Sequence, residues 1–286
     1  MIAGPGPEVL ARVPGECIGV QPLQGGLTNR SFLVTSTAGR FVVRLGTAFD
    51  ALLAIDRRGE IAAQRLAASA GIAPPIVVDD VASGLLVTRF VEGREWTPAD
   101  FAKPGQIERL GERLRRLHAL DVTGIPGLAR LDPLVRAREY AGRIAAAAPD
   151  ERASLEQLLA EAQRRQRESG AAARRATLVH SDLNGSNLVD GEALWLIDWE
   201  YSALADPLHD AACVLGYYPQ AAPQAARLLD ALRLEATPRE LQAVVWLFRL
   251  LVYLWYRARR IAVAPSAADL AAEQGAARAL VHNRNL

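Results

Sequence analysis

One segment, from His180 to Asp198, constrains what this 286-residue chain can fold into and do more than any other. It reads HSDLNGSNLVDGEALWLID, with Asp182 two residues after the histidine and Asn187 five residues after that aspartate. Two apolar runs flank the Asp-Gly pair in its second half, a pattern typical of two short strands joined by a tight hairpin. A loop that leads into such a hairpin would hold Asn187 and Asp198 side by side.

The residue types of this segment suit one kind of chemistry. Asn187 and Asp198 offer hard oxygen ligands of the kind that Mg²⁺ prefers, and Asp182 remains as a base for an incoming hydroxyl. The pattern therefore predicts transfer of a phosphoryl group from a nucleotide. The alternative is structural: an Asp-Gly hairpin with solvated acidic neighbours is common, so the prediction needs support from the rest of the chain.

The composition indicates a globular protein with a large core, in one large domain or two lobes. Hydrophobic residues make up 50% of the chain and the formal net charge is +1. This balance gives no support to a nucleic-acid partner, which usually requires a clustered basic excess. Lys103 is the only lysine, so a kinase built from this chain needs another residue in place of the usual ATP-binding lysine.

The cysteines and the apolar segments indicate a cytoplasmic protein. Cys17 and Cys213 lie far apart in sequence without a CxxC pair, which argues against a disulfide framework and a structural zinc site. Both are expected to be small buried side chains. The N-terminal segment lacks the pattern of a signal peptide. The most apolar stretch, residues 241–256, contains Arg249 and is too short to span a bilayer comfortably, so no membrane partner is expected.

The order of predicted elements divides the chain into two parts. Residues 1–92 contain β-rich runs on both sides of one Ala-rich helix that Gly71 would end, which predicts a small α+β lobe. The β-rich runs are residues 30–35, 40–45, 76–78 and 85–91, and the helix is residues 60–70. Residues 93–286 are predicted to form a larger, mainly helical lobe, interrupted by the hairpin of the opening segment.

The helices of the second part are predicted from the periodic spacing of apolar residues. Apolar residues at positions 107, 110, 114 and 117 are spaced for one face of a helix. Two further helices are predicted over residues 134–148 and 151–168, and helical segments broken by prolines follow from residue 209. The predicted fold class is α+β, with a small β-rich N-terminal lobe and a larger, mainly helical C-terminal lobe.

A glycine pair precedes the first clear strand. Gly25 and Gly26 would let backbone N–H groups approach a phosphate, and Thr28 and Asn29 add side-chain donors. A Gly-Gly pair is more often only a turn, so this signal is weak by itself.

A strand cation and a helix carboxylate follow the glycine pair. Arg44 lies in the alternating strand FVVRL and would reach the phosphates of a nucleotide from one face of the sheet. Glu60, early in the next helix, is a natural ion-pair partner for it. The structural alternatives are a solvent-facing strand arginine and a carboxylate that stabilises the first helical turn.

Together these motifs resemble those of a known superfamily. The sequences GGLTNRSFLV, FVVRLG, GIAPPIV, HSDLNGSNLV and LIDWEY occur in that order over about residues 23–202. They resemble the aminoglycoside phosphotransferase/choline kinase superfamily, which has a two-lobed protein-kinase-like fold. GGLTNR and IDWEY look most like the choline/ethanolamine kinases and their bacterial relatives, some of which also carry arginine in place of the strand lysine.

The resemblance implies roles for the catalytic segment. Asp182 would accept or orient the proton of the acceptor hydroxyl, and His180 would brace the loop through hydrogen bonds. Asn187 and Asp198 would hold Mg²⁺ against the β- and γ-phosphates of ATP.

The resemblance also implies a nucleotide site with ATP and Mg²⁺ as cofactors. Arg44, paired with Glu60, would clamp the phosphates, and the loop of Gly25, Gly26, Thr28 and Asn29 would cover them. Adenine would lie against the connector of residues 89–93, with Arg89 and Val91 as contacts.

The acceptor is less well defined by the sequence. A quaternary ammonium group calls for aromatic rings and a carboxylate, and Glu200, Trp246, Tyr253 and Tyr256 are the candidates. On a helix the last three share one face, although an aromatic stripe at helical spacing is more often core. Asp206 and Asp210 could also supply the negative charge, but each has a structural alternative. Asp206 suits a turn or a helix cap, and Asp210 could anchor the catalytic loop.

Three functional hypotheses follow. The first is a kinase of a small-molecule alcohol, choline or ethanolamine. The second is a kinase of the same fold that acts on thiamine, a sugar or an aminoglycoside. The third, a non-catalytic nucleotide-binding protein, predicts the loss of Asp182, Asn187 or Asp198, and all three are present. The sequence does not predict an oligomeric state.

Overall fold

A computed structural model describes residues 4–23, 28–46 and 49–281. Its N-terminal part is a five-stranded antiparallel sheet in the order β1-β2-β3-β5-β4, accompanied by three helices. The strands are β1 (Cys17–Leu23), β2 (Arg30–Ser36), β3 (Gly39–Leu45), β4 (Ile76–Asp80) and β5 (Leu85–Arg89), and the helices are α1 (Pro7–Leu10), α2 (Asp50–Leu53) and α3 (Arg57–Ser69). Apolar residues alternate along β2 and β3, and those on one face of these strands, such as Val34 and Val43, are fully buried.

Helix α3 begins three residues before the predicted start because Asp56 caps it. The Asp56 carboxylate accepts a hydrogen bond from the backbone N–H of Arg58 at 3.0 Å. The earlier start places Arg57 on the helix, one turn before Glu60. At the other end Gly71 adopts a left-handed conformation with φ of 67°, as expected for the residue that ends a helix.

The rest of the chain is mainly helical and contains two small sheets. In chain order it consists of β6 (Arg94–Glu95), α4 (Pro104–His118), α5 (Pro133–Ala147), α6 (Arg152–Glu168), β7 (Thr177–Val179), β8 (Leu188–Asp190), β9 (Leu194–Leu196), β10 (Ala203–Ala205), α7 (Leu208–Tyr217), α8 (Ala225–Leu232), α9 (Pro238–Ala262) and α10 (Ala267–Val281). Strand β8 pairs with both β6 and β9, and β7 pairs with β10. The predicted α+β class, with a β-rich N-terminal and a helical C-terminal part, is confirmed.

Helix α4 illustrates how well periodicity predicts a buried face. The four apolar residues singled out by their spacing are all fully buried, and they are Ile107, Leu110, Leu114 and Leu117. Gly111 lies between them, where a Cβ atom would be only 2.5 Å from the Cβ of Ala231 in α8. The missing side chain therefore lets α4 and α8 pack closely.

Helix α9 runs through the helical part and is buried on two sides. A capping box begins it, in which Thr237 and Glu240 each accept a hydrogen bond from the other's backbone N–H. Leu247, Leu250 and Leu254 pack in one hydrophobic cluster with α5, and Phe248 belongs to a second, larger cluster. In the part of the chain that the structure describes, no helix has the length and apolar character needed to cross a membrane.

The two cysteines are unpaired and lie in different environments. Cys213 is buried in α7, as expected, but Cys17 is exposed. The expectation for Cys17 is wrong because β1 is an edge strand with no buried residue along its length.

Candidate active site

A buried aspartate anchors the loop between β7 and β8. The carboxylate of Asp210 accepts hydrogen bonds from the backbone N–H groups of His180 and Ser181, both near 3.0 Å, and contacts Nε2 of His118 at 2.9 Å. Burial by itself would raise the pKa of Asp210, but the bonds from His118 and Ser181 outweigh it and lower that pKa. Asp210 therefore has the anchoring role that the sequence left open. Asp206 accepts a bond from the N–H of Leu208, the first residue of α7, and pairs with Arg174 at 2.9 Å, so it holds the turn before that helix.

His180 braces the loop against the segment that leads to Asp198. Its Nε2 lies 3.0 Å from the backbone oxygen of Ile197, and its Nδ1 faces the backbone N–H of Asp182 at 3.3 Å. These partners require a neutral ring that carries its proton on Nε2. Complete burial lowers the pKa of His180 to about 4, which keeps the ring neutral near pH 7.

The lowered pKa of His180 predicts a pH-dependent stability. Between the ordinary pKa of 6.5 and the folded value of about 4, the unfolded chain binds a proton that the folded chain excludes, so stability falls as the pH falls. The His180→Asn variant loses packing contacts at every pH, but its stability no longer contains the pH-dependent contribution of the imidazole. We expect urea unfolding to show the difference in stability between wild type and variant narrowing by about 2 kcal/mol from pH 7 to pH 5. A difference that stays constant over that range would contradict the neutral, buried assignment.

Asp182 is held by three side chains at the wall of a cleft. Its Oδ1 accepts a hydrogen bond from the hydroxyl of Tyr217 at 2.8 Å, and its Oδ2 accepts bonds from the side-chain amides of Asn187 at 2.8 Å and Asn184 at 3.2 Å. Burial raises the pKa of Asp182 to about 6, against the lowering effect of the Tyr217 and Asn184 bonds. Sequence reasoning missed Tyr217, which stands in no motif.

The β8–β9 hairpin brings Asn187 and Asp198 together, as the spacing predicts. The backbone oxygen of Asn187 accepts a hydrogen bond from the N–H of Ile197 at 3.0 Å, directly before Asp198. The hairpin loop contains three residues, 191–193. Asn187 uses its amide nitrogen on Asp182, which leaves its side-chain oxygen for a ligand.

Asp198 has the properties of a cation ligand. Its backbone is left-handed with φ of 62°, a conformation that is costly for a residue other than glycine and that clusters at functional sites. Its side chain is 32% exposed and lies 3.4 Å from a nitrogen of Arg44. Burial and then repulsion from Glu200 raise the pKa of Asp198 well above its ordinary value. A bound cation would relieve both effects.

The donor set at this position fits Mg²⁺. Asn187 and Asp198 offer one amide and one carboxylate oxygen, both hard ligands. Among the residues that the structure describes there is no group of three or more His, Cys, Asp or Glu side chains placed to hold a metal ion. An ion held by Asn187 and Asp198 would therefore take its remaining ligands from phosphates and water, which is the usual environment of Mg²⁺ at a nucleotide.

Arg44 and Glu60 form a buried ion pair at the roof of the cleft. The terminal nitrogens Nη1 and Nη2 of Arg44 each donate to one carboxylate oxygen of Glu60, with Nη2 and Oε2 separated by 2.7 Å. Arg44 is 9% exposed and Glu60 is 1% exposed. The structure thus brings together the strand cation and the helix carboxylate that the sequence singled out.

Arg57 joins the two parts of the molecule and was missed by sequence reasoning. Its guanidinium bonds both oxygens of Asp50 at 2.7 and 2.8 Å, Glu60 at 3.0 Å and Glu200 at 3.1 Å, and it donates to the side-chain oxygen of Asn29 at 2.8 Å. A cation at the first position of a helix is unfavourable next to the helix dipole. That position was the available signal that Arg57 requires anionic partners.

Glu200 is occupied by polar partners from the N-terminal part. Its two carboxylate oxygens accept hydrogen bonds from the hydroxyl of Thr28 at 2.7 Å and the amide of Asn29 at 2.8 Å, in addition to Arg57. The carboxylate lines the cleft but its side chain is only 3% exposed. In this conformation Thr28, Asn29 and Glu200 form a bridge between the segment before β2 and the segment after Asp198.

A cavity of about 750 Å³ lies between the sheet and the helical part. Arg44, Arg89 and Val91 line it from the N-terminal part and the connector, and Asp182 and Asp198 line it from the helical part. The Arg89 side chain is exposed and its guanidinium bonds the backbone oxygen of Ala38 at 3.3 Å. Two residues predicted to contact phosphates, Gly25 and Gly26, lie outside the described residues.

The aromatic residues of α9 are divided between the cleft and the core. Trp246 and Tyr253 do not line the cleft, and both pack in the cluster formed with α5 and α6. The structure therefore does not bring these two predicted acceptor contacts to the cleft, because that face of α9 packs against neighbouring helices. Tyr256 does line the cleft, together with Trp255 and Phe248 of the same helix.

Comparisons with known proteins agree with this geometry. Residues 19–244 match the phosphotransferase enzyme family, APH. No curated protein matches the chain. Among solved structures, a choline/ethanolamine kinase family protein from Mesorhizobium loti is 27% identical, with a TM-score of 0.75 over 96% of this chain and 92% of the other.

More distant structures share the fold. The choline kinase LicA from Streptococcus pneumoniae is 18% identical, with a TM-score of 0.79 over 96% of each chain, and LicA has also been solved in complex with AMP. A spectinomycin phosphotransferase in complex with ADP and spectinomycin is 13% identical, with a TM-score of 0.67 over 98% of this chain and 97% of the other. The chain therefore belongs to the phosphotransferase enzyme family and has its two-lobed, protein-kinase-like fold.

Proposed function

We propose that this protein transfers the γ-phosphate of Mg-ATP to the hydroxyl of a small molecule. The observation that carries the proposal is the convergence of Asp182, Asn187 and Asp198 with the Arg44–Glu60 pair on one cleft. A base, two oxygen ligands for a metal and a fixed cation are the parts that phosphoryl transfer needs. We assign residues 1–92 to nucleotide binding and residues 93–286 to catalysis and acceptor binding.

Each residue in the cleft has a distinct task in this proposal. Arg44, held by Glu60, contacts the phosphates, and Asn187 and Asp198 hold Mg²⁺. The metal neutralises charge on the β- and γ-phosphates when it is bound. Asp182 orients the acceptor hydroxyl and accepts its proton as the oxygen attacks the γ-phosphorus, and the bond to the bridging oxygen of ADP breaks.

The adenine base of ATP is proposed to lie beside residues 89–93. Arg89 and Val91 line that part of the cavity, and the Arg89 side chain is turned toward Ala38. Contacts to adenine from this connector would therefore come from its backbone and from Val91. Thr28 and Asn29 are proposed to cover the γ-phosphate, which requires them to exchange their bonds with Glu200 for bonds to the nucleotide.

Choline or ethanolamine is the proposed acceptor. Aromatic side chains line the same cavity as Asp182, among them Tyr217, Phe248, Trp255 and Tyr256, and such rings stabilise a cationic head group by about 0.5–2 kcal/mol each. Arg136 also lines the cavity, and its positive charge disfavours a polycation such as an aminoglycoside. Thiamine and a sugar remain the second candidates, since aromatic walls also accept rings of these kinds.

A coupled ADP-release assay with Mg-ATP tests the proposal against choline, ethanolamine, thiamine, simple sugars and kanamycin. Turnover with choline or ethanolamine supports the proposed acceptor and directs mutagenesis to Trp255 and Tyr256. Turnover with another compound alone keeps the phosphotransferase and rejects the choline assignment. If the protein binds Mg-ATP but phosphorylates none of these compounds, every acceptor of the panel is rejected.

Asp198→Asn tests the proposed metal site separately from the base. The amide keeps the shape of the side chain but removes the charge that would hold Mg²⁺. We expect the affinity for ATP to fall at least about tenfold in the presence of Mg²⁺ and to change little in its absence. Calorimetric titration with ATP in Mg²⁺ and in EDTA measures both values. Equal affinities of wild type and variant in Mg²⁺ would remove Asp198 from the metal site.

A further inference from the structure

The hydrogen bonds of Asp182 identify which of its oxygens can receive a proton. An ionised carboxylate offers about two lone-pair directions on each oxygen. Within the described part of the chain, Oδ2 receives two donors, from Asn187 at 2.8 Å and Asn184 at 3.2 Å, while Oδ1 receives one, from Tyr217 at 2.8 Å. Oδ1 is therefore the oxygen with room for an acceptor hydroxyl, and Tyr217 occupies the position next to it.

Packing holds Tyr217 in this position. The ring lies edge-on to Phe248 of α9, with centroids 4.9 Å apart and an interplanar angle of 84°. Gly216 allows this contact, because a Cβ atom there would be 2.4 Å from the Phe248 ring. The next residue, Tyr218, accepts a hydrogen bond from the N–H of Gly185 at 2.6 Å, so the end of α7 is fixed to the catalytic loop beside Asp182.

The Tyr217 hydroxyl can only donate to Asp182 while it keeps its proton. Burial and the nearby Asp182 charge raise the pKa of Tyr217 well above its ordinary value, so the hydroxyl is protonated under any physiological condition. Tyr217 also lines the cleft. An acceptor bound to Oδ1 would thus lie within reach of the Tyr217 oxygen as well.

We propose that Tyr217 is a positioning residue that directs the acceptor hydroxyl to the open site on Oδ1 of Asp182 and prevents a water molecule from taking the place of that hydroxyl. The inference rests on the proposed function. In productive transfer the acceptor proton goes to Oδ1, its oxygen bonds the γ-phosphorus, and ADP leaves as the β,γ-bridging bond breaks. Without the tyrosine hydroxyl, a water molecule can occupy the vacated space beside Asp182 and attack instead, which yields inorganic phosphate.

Tyr217→Phe tests this inference, with Tyr253→Phe as the matched control. The control removes a hydroxyl from α9 outside the cleft. Phosphate ester and inorganic phosphate are measured in the same reaction, with Mg-ATP and the acceptor that wild type prefers. Because a hydrogen bond to a charged group is lost, we expect kcat for transfer to fall about tenfold and the ratio of inorganic phosphate to ester to rise at least about fivefold. The KM for Mg-ATP should stay within about twofold of wild type, since the hydrogen bond of Tyr217 is to Asp182 and not to a described residue of the proposed phosphate or metal site.

The outcomes separate this inference from the proposed function. If wild type forms ester and Tyr217→Phe keeps the wild-type ratio of phosphate to ester, Tyr217 has no role in directing the acceptor and the inference alone fails. The same conclusion holds if Tyr253→Phe changes the ratio as much as Tyr217→Phe does. If wild type forms no ester with any acceptor of the panel, the proposed function fails and the inference fails with it.

Discussion

Asp182→Asn is expected to lower kcat for phosphoryl transfer about 10²–10⁴-fold, the range lost when a general base is removed. The substitution preserves the shape of the site. The asparagine oxygen can still accept bonds from Asn187 and Asn184, and its amide can donate to the Tyr217 oxygen. The loop should therefore stay folded and Mg-ATP should bind with nearly unchanged affinity, so the loss appears in kcat.

The comparison that isolates this effect is Asp230→Asn, which removes a carboxylate from the exposed face of α8 away from the cleft. Steady-state kinetics of both variants and calorimetric titration with Mg-ATP provide the readout. Transfer by Asp182→Asn at close to the wild-type rate would exclude Asp182 as the base. Loss of Mg-ATP binding in the same variant would instead indicate a structural role for the carboxylate.

Arg57→Met is expected to destabilise the fold by about 3–5 kcal/mol, the range found when one partner is removed from a buried ionic network. Arg57 is 8% exposed and bonds Asp50, Glu60 and Glu200. Methionine fills part of the volume but leaves the Glu200 carboxylate without a cationic partner. Urea unfolding of wild type and variant measures the difference in free energy.

Arg58→Met is the matched control, because Arg58 is the next residue on α3 and is exposed. We expect that change to stay within about 0.5 kcal/mol of wild type. Arg57→Lys should recover only part of the stability, since an ammonium group cannot reproduce the forked contacts of the guanidinium. Unfolding of Arg57→Met at the wild-type urea concentration would show that the network adds nothing to stability.

The parts of the fold that the sequence predicts are those with local signals. The buried face of α4 follows from the spacing of Ile107, Leu110 and Leu114, because helical periodicity places them on one side. The end of α3 follows from Gly71, which adopts the left-handed conformation that ends a helix. The Asn187–Asp198 arrangement is also local, since one hairpin contains both residues.

The unpredicted parts of the site depend on contacts between distant segments. Arg57 reaches Glu200 across 143 residues, and Tyr217 reaches Asp182 across 35. No periodicity or short motif reports such contacts, because they follow from how the helical part packs against the sheet. The only local hint for Arg57 was a cation at the beginning of a helix.

The acceptor pocket shows a second limit of sequence reasoning. Periodicity places Trp246 and Tyr253 on one face of α9 but does not say whether that face meets a cleft or a neighbouring helix. The helix packs against neighbours on both sides, so its aromatic residues are divided between two hydrophobic clusters. Tyr256 lies at the edge of its predicted face and reaches the cleft.

The central claim is transfer of the γ-phosphate to an acceptor hydroxyl, and ³¹P spectroscopy of the reaction tests it most directly. Wild-type protein is incubated with Mg-ATP and each acceptor of the panel. We expect a new phosphate-ester signal that grows in step with ADP for at least one acceptor, and no such signal for Asp182→Asn. ATP consumed only to inorganic phosphate, or an ester formed equally well by Asp182→Asn, would contradict it.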